Sequence, residues 1–440
     1  MQDGQDVDIG WCEDIGLQTG MSVLPTRPRI GEDGRCWEDI CRDLIAFKTS
    51  DHDWRGGKVP IYVYYDSEEL LGVSRDAYNL YFSENALGRR AFPSIVRMES
   101  DVIGMALSLF KAPEGAVGSF TSGGTESIFL ALKAARDHFR VSHPREQRPR
   151  IVIPRTAHPA FDKAAHYLDC DVVRTKTTTD LRADADDLAA AIDTRTMLIA
   201  GSAPCYPYGV FDPIAKFGQI ATSHGVWFHV DACLGGFLAP FAREEGYCVP
   251  EFEFSVPGVT SLSADLHKHG FCAKGASVVL YGSRALHARQ RFHFDNWPRG
   301  TYSTETFLGS RPGGAVASAW AVLQFLGRIG FRRLARKTMG AKDRLVTGIE
   351  EISGLEVVRP SDLSIVLYKS SDKAVEINAV AESMREKGWF VGRSREPDAI
   401  HLALNPVHTR MIDEYVMDLK GAVDNVRSSG RLGEHDDHTY

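Results

Sequence analysis

No segment of this chain approaches the ~18 consecutive apolar residues of a membrane span, and the stretch Met1 to Gly20 carries acids without an apolar core, which speaks against a usual signal peptide. The eight cysteines (Cys12, Cys36, Cys41, Cys170, Cys205, Cys233, Cys248, Cys272) include no C-x-x-C pair and no framework spacing. They are expected as reduced thiols in a cytoplasmic compartment, and no metal site is predicted. Basic residues are not in excess: 51 Lys and Arg against 58 Asp and Glu give a net charge of −7, which argues against nucleic acid or an anionic membrane as partner. A Walker loop and a G-x-G-x-x-G fingerprint are also lacking, which removes the common nucleotide-binding classes. What remains is a 440-residue chain of ordinary globular composition, 43% hydrophobic and 25% charged, long enough for a large core and a second domain.

The stretch Ser261 to Phe271 organises the rest. The small apolar residues from Val256 to Leu262 predict a buried strand that delivers Lys268 into a pocket, with Asp265 and His267 flanking it. A lysine becomes a nucleophile toward carbonyls when burial or neighbouring charge lowers its pKa, and that is the expectation for Lys268. Upstream, Thr121-Ser122-Gly123-Gly124-Thr125-Glu126-Ser127 sits at a strand-to-helix junction, where Gly123 and Gly124 admit a phosphate to the backbone N–H groups and Thr125 adds a hydroxyl. Asp231 ends the predicted strand Val226 to Val230, where a carboxylate can pair with a protonated pyridine nitrogen. Each motif alone has a plain structural reading: a capped glycine turn, a helix N-cap, a solvated lysine. Their order on an alternating strand and helix pattern points to a lysine that holds pyridoxal 5'-phosphate through a Schiff base. His158, just after the strand Ile151 to Pro154, is placed over the flat face of the cofactor. Ser202 in Gly201-Ser202-Ala203-Pro204 lines the same crevice, and His267 reaches the cofactor phosphate.

Periodicity predicts α/β architecture. Helices are expected over Trp37–Lys48, Ser94–Phe110, Ala160–Tyr167, Leu188–Ile192, Pro213–His224 and Ala315–Gly327. Strands are expected at Ile151–Pro154, Met197–Ala200, Val226–Val230, Val278–Tyr281, Ser364–Tyr368 and Ile400–Leu404. The domain reading is an N-terminal segment (1–90) packing on a dimer, a large cofactor-binding domain (91–310), a small C-terminal domain (311–428) and a polar tail (429–440).

At these residues the chain resembles the pyridoxal-phosphate enzymes of the group II decarboxylase superfamily, and within it the sphingosine-1-phosphate lyases. The matching motifs are Thr-Ser-Gly-Gly-Thr-Glu-Ser-Ile (121 to 128), Ala-His-Pro-Ala-Phe-Asp-Lys (157 to 163), His-Val-Asp-Ala-Cys-Leu-Gly-Gly-Phe (229 to 237), Asp-Leu-His-Lys-His-Gly-Phe-Cys-Ala-Lys-Gly (265 to 275) and Gly-Ser-Arg-Pro-Gly (309 to 313). The resemblance spans roughly Gly57 to Val426. It implies a fold type I homodimer with active sites at the subunit interface: a large domain with a mixed, mostly parallel sheet and a smaller C-terminal α+β domain. It also implies Lys268, Asp231 and His158 as catalytic residues, with Gly124, Thr125 and His267 on the cofactor phosphate and Gly309 and Ser310 reaching it from the other subunit. Tyr64, Asn85 and Lys274 match three of the four groups that meet the substrate phosphate in those lyases. At the fourth, a histidine, this chain has Gly88, with Arg89 and Arg90 as nearby charges. Cys205, Tyr206 and Tyr208 also depart from the lyase pattern.

The expected reaction is therefore carbon–carbon cleavage of an amine substrate, by retro-aldol cleavage of a phosphorylated long-chain amino alcohol to an aldehyde and phosphoethanolamine. The alternative is decarboxylation of a different amino acid or small amine.

Overall fold

A computed structural model of the chain describes residues 28–143 and 148–433, in two compact units divided after Asp51. In the first unit, α1 (Trp37–Phe47) is the amphipathic helix expected from its spacing. None of its residues is buried, and Trp37, Leu44, Ile45 and Phe47 are exposed. The irregular arm expected before it, up to residue 27, lies outside the described residues, as does most of the tail from residue 434 on.

The second unit opens with α2 (Glu68–Leu80) and α3 (Pro93–Leu109). The aromatic-rich stretch around Tyr78 had no predicted helix. It is helical because the Ser67 hydroxyl accepts from Leu70 N, capping α2, and Leu70 and Ser74 point inward.

Seven strands follow: β1 (Val117–Thr121), β2 (Arg150–Pro154), β3 (Asp171–Thr175), β4 (Thr196–Ser202), β5 (Trp227–Asp231), β6 (Ser261–Ala264) and β7 (Ser277–Tyr281). They form one sheet in the order β1-β7-β6-β5-β4-β2-β3. Strands β2 to β6 pair in parallel, and β7 runs antiparallel to both β6 and β1. Every residue of β4 and β5 is buried, as expected for central parallel strands covered on both faces. The strand before Lys268 is shorter than its apolar run suggested. Gly258, at φ +92°, turns the chain where any Cβ would meet Gly218 O at 2.3 Å, so pairing begins only at Ser261.

Helices α4 (Gly124–Phe139), α5 (Ala160–Leu168), α6 (Ala185–Ala190), α7 (Ile214–His224) and α8 (Ala239–Glu244) occupy the connections, followed by the short α9 (Arg284–His287) and the hairpin β8 (Phe292–Phe294) and β9 (Tyr302–Thr304). The helix predicted for Ala315–Gly327 is the first part of α10 (Gly313–Glu350). Gly327 is its one non-helical residue, after which the inward pattern resumes with Phe331, Leu334 and Ala335, so the helix runs on. Among the described residues α10 alone is long and apolar enough to cross a membrane, but half of that apolar window is buried in the fold, as in a core helix.

The first part of α10 packs under the large sheet with Val316, Val322 and Met339, and its end joins a second core through Ala341, Leu345 and Ile349. That core contains β10 (Leu355–Val358), β11 (Ile365–Ser370), α11 (Ile377–Glu386), β12 (Gly392–Arg395), β13 (Asp398–Ala403) and α12 (Ile412–Ser429). Its four strands are all antiparallel, in the order β10-β11-β13-β12. In the large sheet, the ends of β1, β2, β4, β5 and β6 open on one crevice, where ligands of such sheets bind.

Candidate active site

These strand ends surround a cavity of about 330 Å³ lined by Gly123, Gly124, Thr125, His158, Ser202, Asp231, His267 and Lys268, eight of the residues singled out from the sequence. Ser122, Glu126, Tyr206, Cys233 and Asp265 complete much of its wall.

The lysine turn leaves β6 with Leu266 buried and Lys268 facing the cavity. Its Nζ lies 2.9 Å from Asp265 Oδ2, three residues earlier. This overturns one expectation. Burial by itself pulls an ammonium's pKa down, but the Asp265 carboxylate in contact with it outweighs burial and holds Lys268 well above its ordinary value. Burial likewise pushes the Asp265 carboxyl up, and the Lys268 ammonium brings it below the usual range. Beside them, His267 Nδ1 accepts from Ala276 N at 3.3 Å. Burial lowers its pKa, so the ring is neutral and carries its proton on Nε2.

The glycine turn precedes α4, whose first N–H groups and positive dipole end stand at the cavity wall. Glu126 fixes this turn: its Oε2 accepts from Ser122 N and from Ser122 Oγ, both at 2.6 Å. Its Oε1 accepts from Phe307 N at 2.8 Å. A Cβ on Gly124 would lie 2.7 Å from Cys233 Sγ and 3.0 Å from Asp265 Oδ2, so bare backbone is required here.

Asp231 ends β5, and its Oδ1 accepts from Cys233 N at 3.0 Å. Two residues back along the strand, His229 bridges Ser261 and Ser263, and burial drops its pKa to about 4, so it is a neutral spacer. His158 Nδ1 accepts from Ala160 N at 3.0 Å and burial lowers its pKa too. Ser202 N donates to Asp212, a carboxyl that burial raises to about 6.

The remaining predicted residues fall in two other places. Lys274 Nζ donates to Tyr62 O at 2.8 Å and to His267 O at 3.2 Å, and stands 5.4 Å from the Tyr64 ring centre. Its chain is exposed, but the ammonium rests against packed neighbours, where desolvation and then Lys268 lower its pKa. Asn85 instead donates to Ser310 Oγ at 2.9 Å and accepts from Arg311 N at 3.2 Å, next to Gly309. Tyr64, Asn85, Lys274, Gly309 and Ser310 are not part of the wall around Lys268 in a single chain. Arg89 and Arg90 are exposed and do not line it either.

Of the three departures near Ser202, Tyr206 reaches the cavity and packs on His401, with ring centres 4.9 Å apart. Tyr208 donates to Glu396 O at 2.6 Å, and Cys205 is a buried thiol raised to about 12 by desolvation. Glu126 and Cys233 carry no expected role from the sequence, and Asp265 is expected there only as a residue flanking Lys268. The signals were there: an acid two residues into an apolar helix after a serine, and an acid at i, i+3 to the lysine. A second, more apolar cavity of about 550 Å³ adjoins the first through Ser122, Thr125 and Glu126 and continues past Phe129, Tyr167 and Phe307.

The Pyridoxal-dependent decarboxylase conserved domain matches residues 59–371. The chain is 40% identical over 399 residues to a sphingosine-1-phosphate lyase of Arabidopsis thaliana, covering 89% of this chain and 73% of that one. The chain belongs to the pyridoxal-dependent decarboxylase family, in its sphingosine-1-phosphate lyase branch. A Dictyostelium discoideum sphingosine-1-phosphate lyase is 37% identical over 398 residues, 90% and 74% of the two chains. The solved sphingosine-1-phosphate lyase of Burkholderia pseudomallei K96243 superposes with a TM-score of 0.87 at 33% identity, over 92% and 95% of the chains. A Lactobacillus brevis glutamate decarboxylase, at 19% identity and a TM-score of 0.81, shares the fold. The chain is thus a pyridoxal-phosphate-dependent lyase of fold type I, and pyridoxal 5'-phosphate is its cofactor. The site fits that group: a side-chain-free cup at a helix N-terminus suits its phosphate, a strand-end carboxylate its ring nitrogen, and an amine its aldehyde.

Proposed function

We propose that this chain cleaves a phosphorylated long-chain amino alcohol of the sphingosine-1-phosphate class, by retro-aldol cleavage, to an aldehyde and phosphoethanolamine. The observation that carries this reading is Lys274: an ammonium beside the Lys268 turn whose hydrogen bonds go to two carbonyl oxygens and which, among the described residues, forms no ion pair with a carboxylate. A cation so placed is suited to a substrate phosphate. The adjoining apolar cavity supports a substrate with a hydrocarbon tail.

In this reading Lys268 would hold the cofactor by its aldehyde, Asp231 would pair with its ring nitrogen and His158 would lie against its ring. Gly123, Gly124, Thr125 and His267 hold the cofactor phosphate, and Ser202 closes the crevice wall. Bound there, the cofactor supplies an electron sink for the bond that breaks. Lys274 and Tyr64 orient the substrate by its phosphate end. Asn85, Gly309 and Ser310 complete the neighbouring subunit's site in a homodimer, which gives these three residues a use that a single chain does not. Seven free cysteines among the described residues support a reducing, cytoplasmic setting.

Decarboxylation of another amine, suggested by Gly88 in place of a histidine, is not favoured by relatives that are lyases at this level of identity. Holoenzyme incubated with phosphorylated amino alcohols and with free amino acids, and read by mass spectrometry, tests the choice. Long-chain aldehyde with phosphoethanolamine is expected; carbon dioxide without aldehyde overturns it.

A further inference from the structure

Asp265 faces Lys268 from the same turn. It is 3% exposed, and its Oδ2 lies 2.9 Å from Lys268 Nζ and 3.7 Å from His267 Nε2. Its Oδ1 is buried without a hydrogen bond, while the Ser277 hydroxyl close by donates to Ala264 O at 3.1 Å. The pair is built into the turn itself, since Lys268 N donates to Asp265 O at 3.4 Å and Phe271 N continues the turn by donating to Lys268 O at 3.0 Å. A carboxylate this deep in the fold is tolerated with a lasting positive partner and is costly without one.

We propose that Asp265 is a positioning residue that acts through Lys268, as the counter-ion that keeps a proton on the lysine nitrogen both while it is bonded to the cofactor and after a substrate amine has displaced it. This rests on the reading of Lys268 as the attachment point. Asp265 makes and breaks no bond and its carboxylate stays ionised: a substrate that arrives as an ammonium brings three N–H protons, of which one stays on the substrate nitrogen and two pass to the lysine nitrogen, which leaves as an ammonium with the one it already held. No other group around Lys268 is fitted to the task. His158, His267, His269 and Lys274 are neutral or cationic, so none of them can serve as a counter-ion there. The Cys233 thiol is kept neutral by burial, and Tyr64 is a phenol. Asp231 is engaged by Cys233 N, and among the described residues Asp265 alone forms a carboxylate ion pair with Lys268. A protonated nitrogen makes the attached carbon more electrophile-like toward an incoming amine, and a released lysine held as ammonium cannot compete with the substrate for the cofactor.

The test is a pH titration of the visible absorbance of holoenzyme, for wild type, Asp265→Asn and Asp265→Glu. Removing an anion at this distance is expected to move the midpoint about 1–3 pH units down in Asp265→Asn, with most of the shift recovered in Asp265→Glu. An unchanged midpoint in Asp265→Asn, with the band present, overturns the proposal. A measurement that needs no variant is amine labelling of the cofactor-free wild type across pH, mapped by mass spectrometry. Lys268 is expected to label only at higher pH than an ordinary lysine of pKa ~10.4; labelling ahead of the surface lysines overturns the proposal. Failure of the wild type to form any visible band with added cofactor overturns the reading of Lys268 itself, an outcome distinct from an unchanged midpoint.

Discussion

The two halves of this site are built in different ways. On the cofactor side, five strand ends of one chain bring eight predicted residues to one cavity, and the polar groups around it hold each other in place: Glu126 on Ser122, Asp265 on Lys268, Asp231 on Cys233. On the substrate side the predicted residues divide, with Lys274 and Tyr64 at the lysine turn and Asn85 tied to Ser310 at the start of α10. The contrast teaches that a crevice at strand ends is gathered by one sheet, whereas residues carried on separate loops stand apart within the chain.

The sharpest way to break the comparison is at the cofactor side. Lys268→Ala is expected to lower kcat by about 10⁴-fold or more and to abolish the visible band, measured by steady-state assay and absorbance. Asp231→Ala should lower kcat by about 10²–10³-fold through lost charge stabilisation, with cofactor still bound. Gly124→Ala forces a methyl against Cys233 Sγ and is expected to weaken cofactor binding about 10–100-fold, read by equilibrium titration of the stripped protein.

On the substrate side, Lys274→Ala should raise KM about tenfold, the scale of one charge-assisted hydrogen bond, while cofactor affinity is unchanged. Mixing subunits sharpens the contrast further. Lys268→Ala combined with Asn85→Ala should recover activity, because one site of the mixed dimer then has both native residues. Lys268→Ala mixed with Lys274→Ala should give no gain over Lys274→Ala alone, since both residues act within one chain.

The smallest effect concerns stability. Burial holds His229 and His408 at about 4, against the usual 6.5. The unfolded chain binds these protons from about pH 6.5 downward while the folded chain refuses them until near pH 4, so stability falls as pH drops through that window. Denaturation midpoints at pH 7 and pH 5 measure it, with the lower value expected at pH 5.

Much of this was legible in the sequence because it is local. Strand and helix periods located the large sheet, and Gly123-Gly124, Asp231 and Lys268 each sit at a strand end that those periods fix. Three things were not legible. The start of β6 depends on Gly258 packing against Gly218, a contact between distant segments. The charge on Lys268 depends on which of two opposing effects is larger, burial or Asp265, and only the 2.9 Å separation decides it. The length of α10 depends on a second core that takes over beyond Met339.

Borohydride reduction of the holoenzyme followed by peptide mapping tests the central claim most directly. One modified peptide is expected, carrying the reduced cofactor on Lys268; a label on another lysine such as Lys274, or no label at all, would contradict the role of Lys268 as the attachment point.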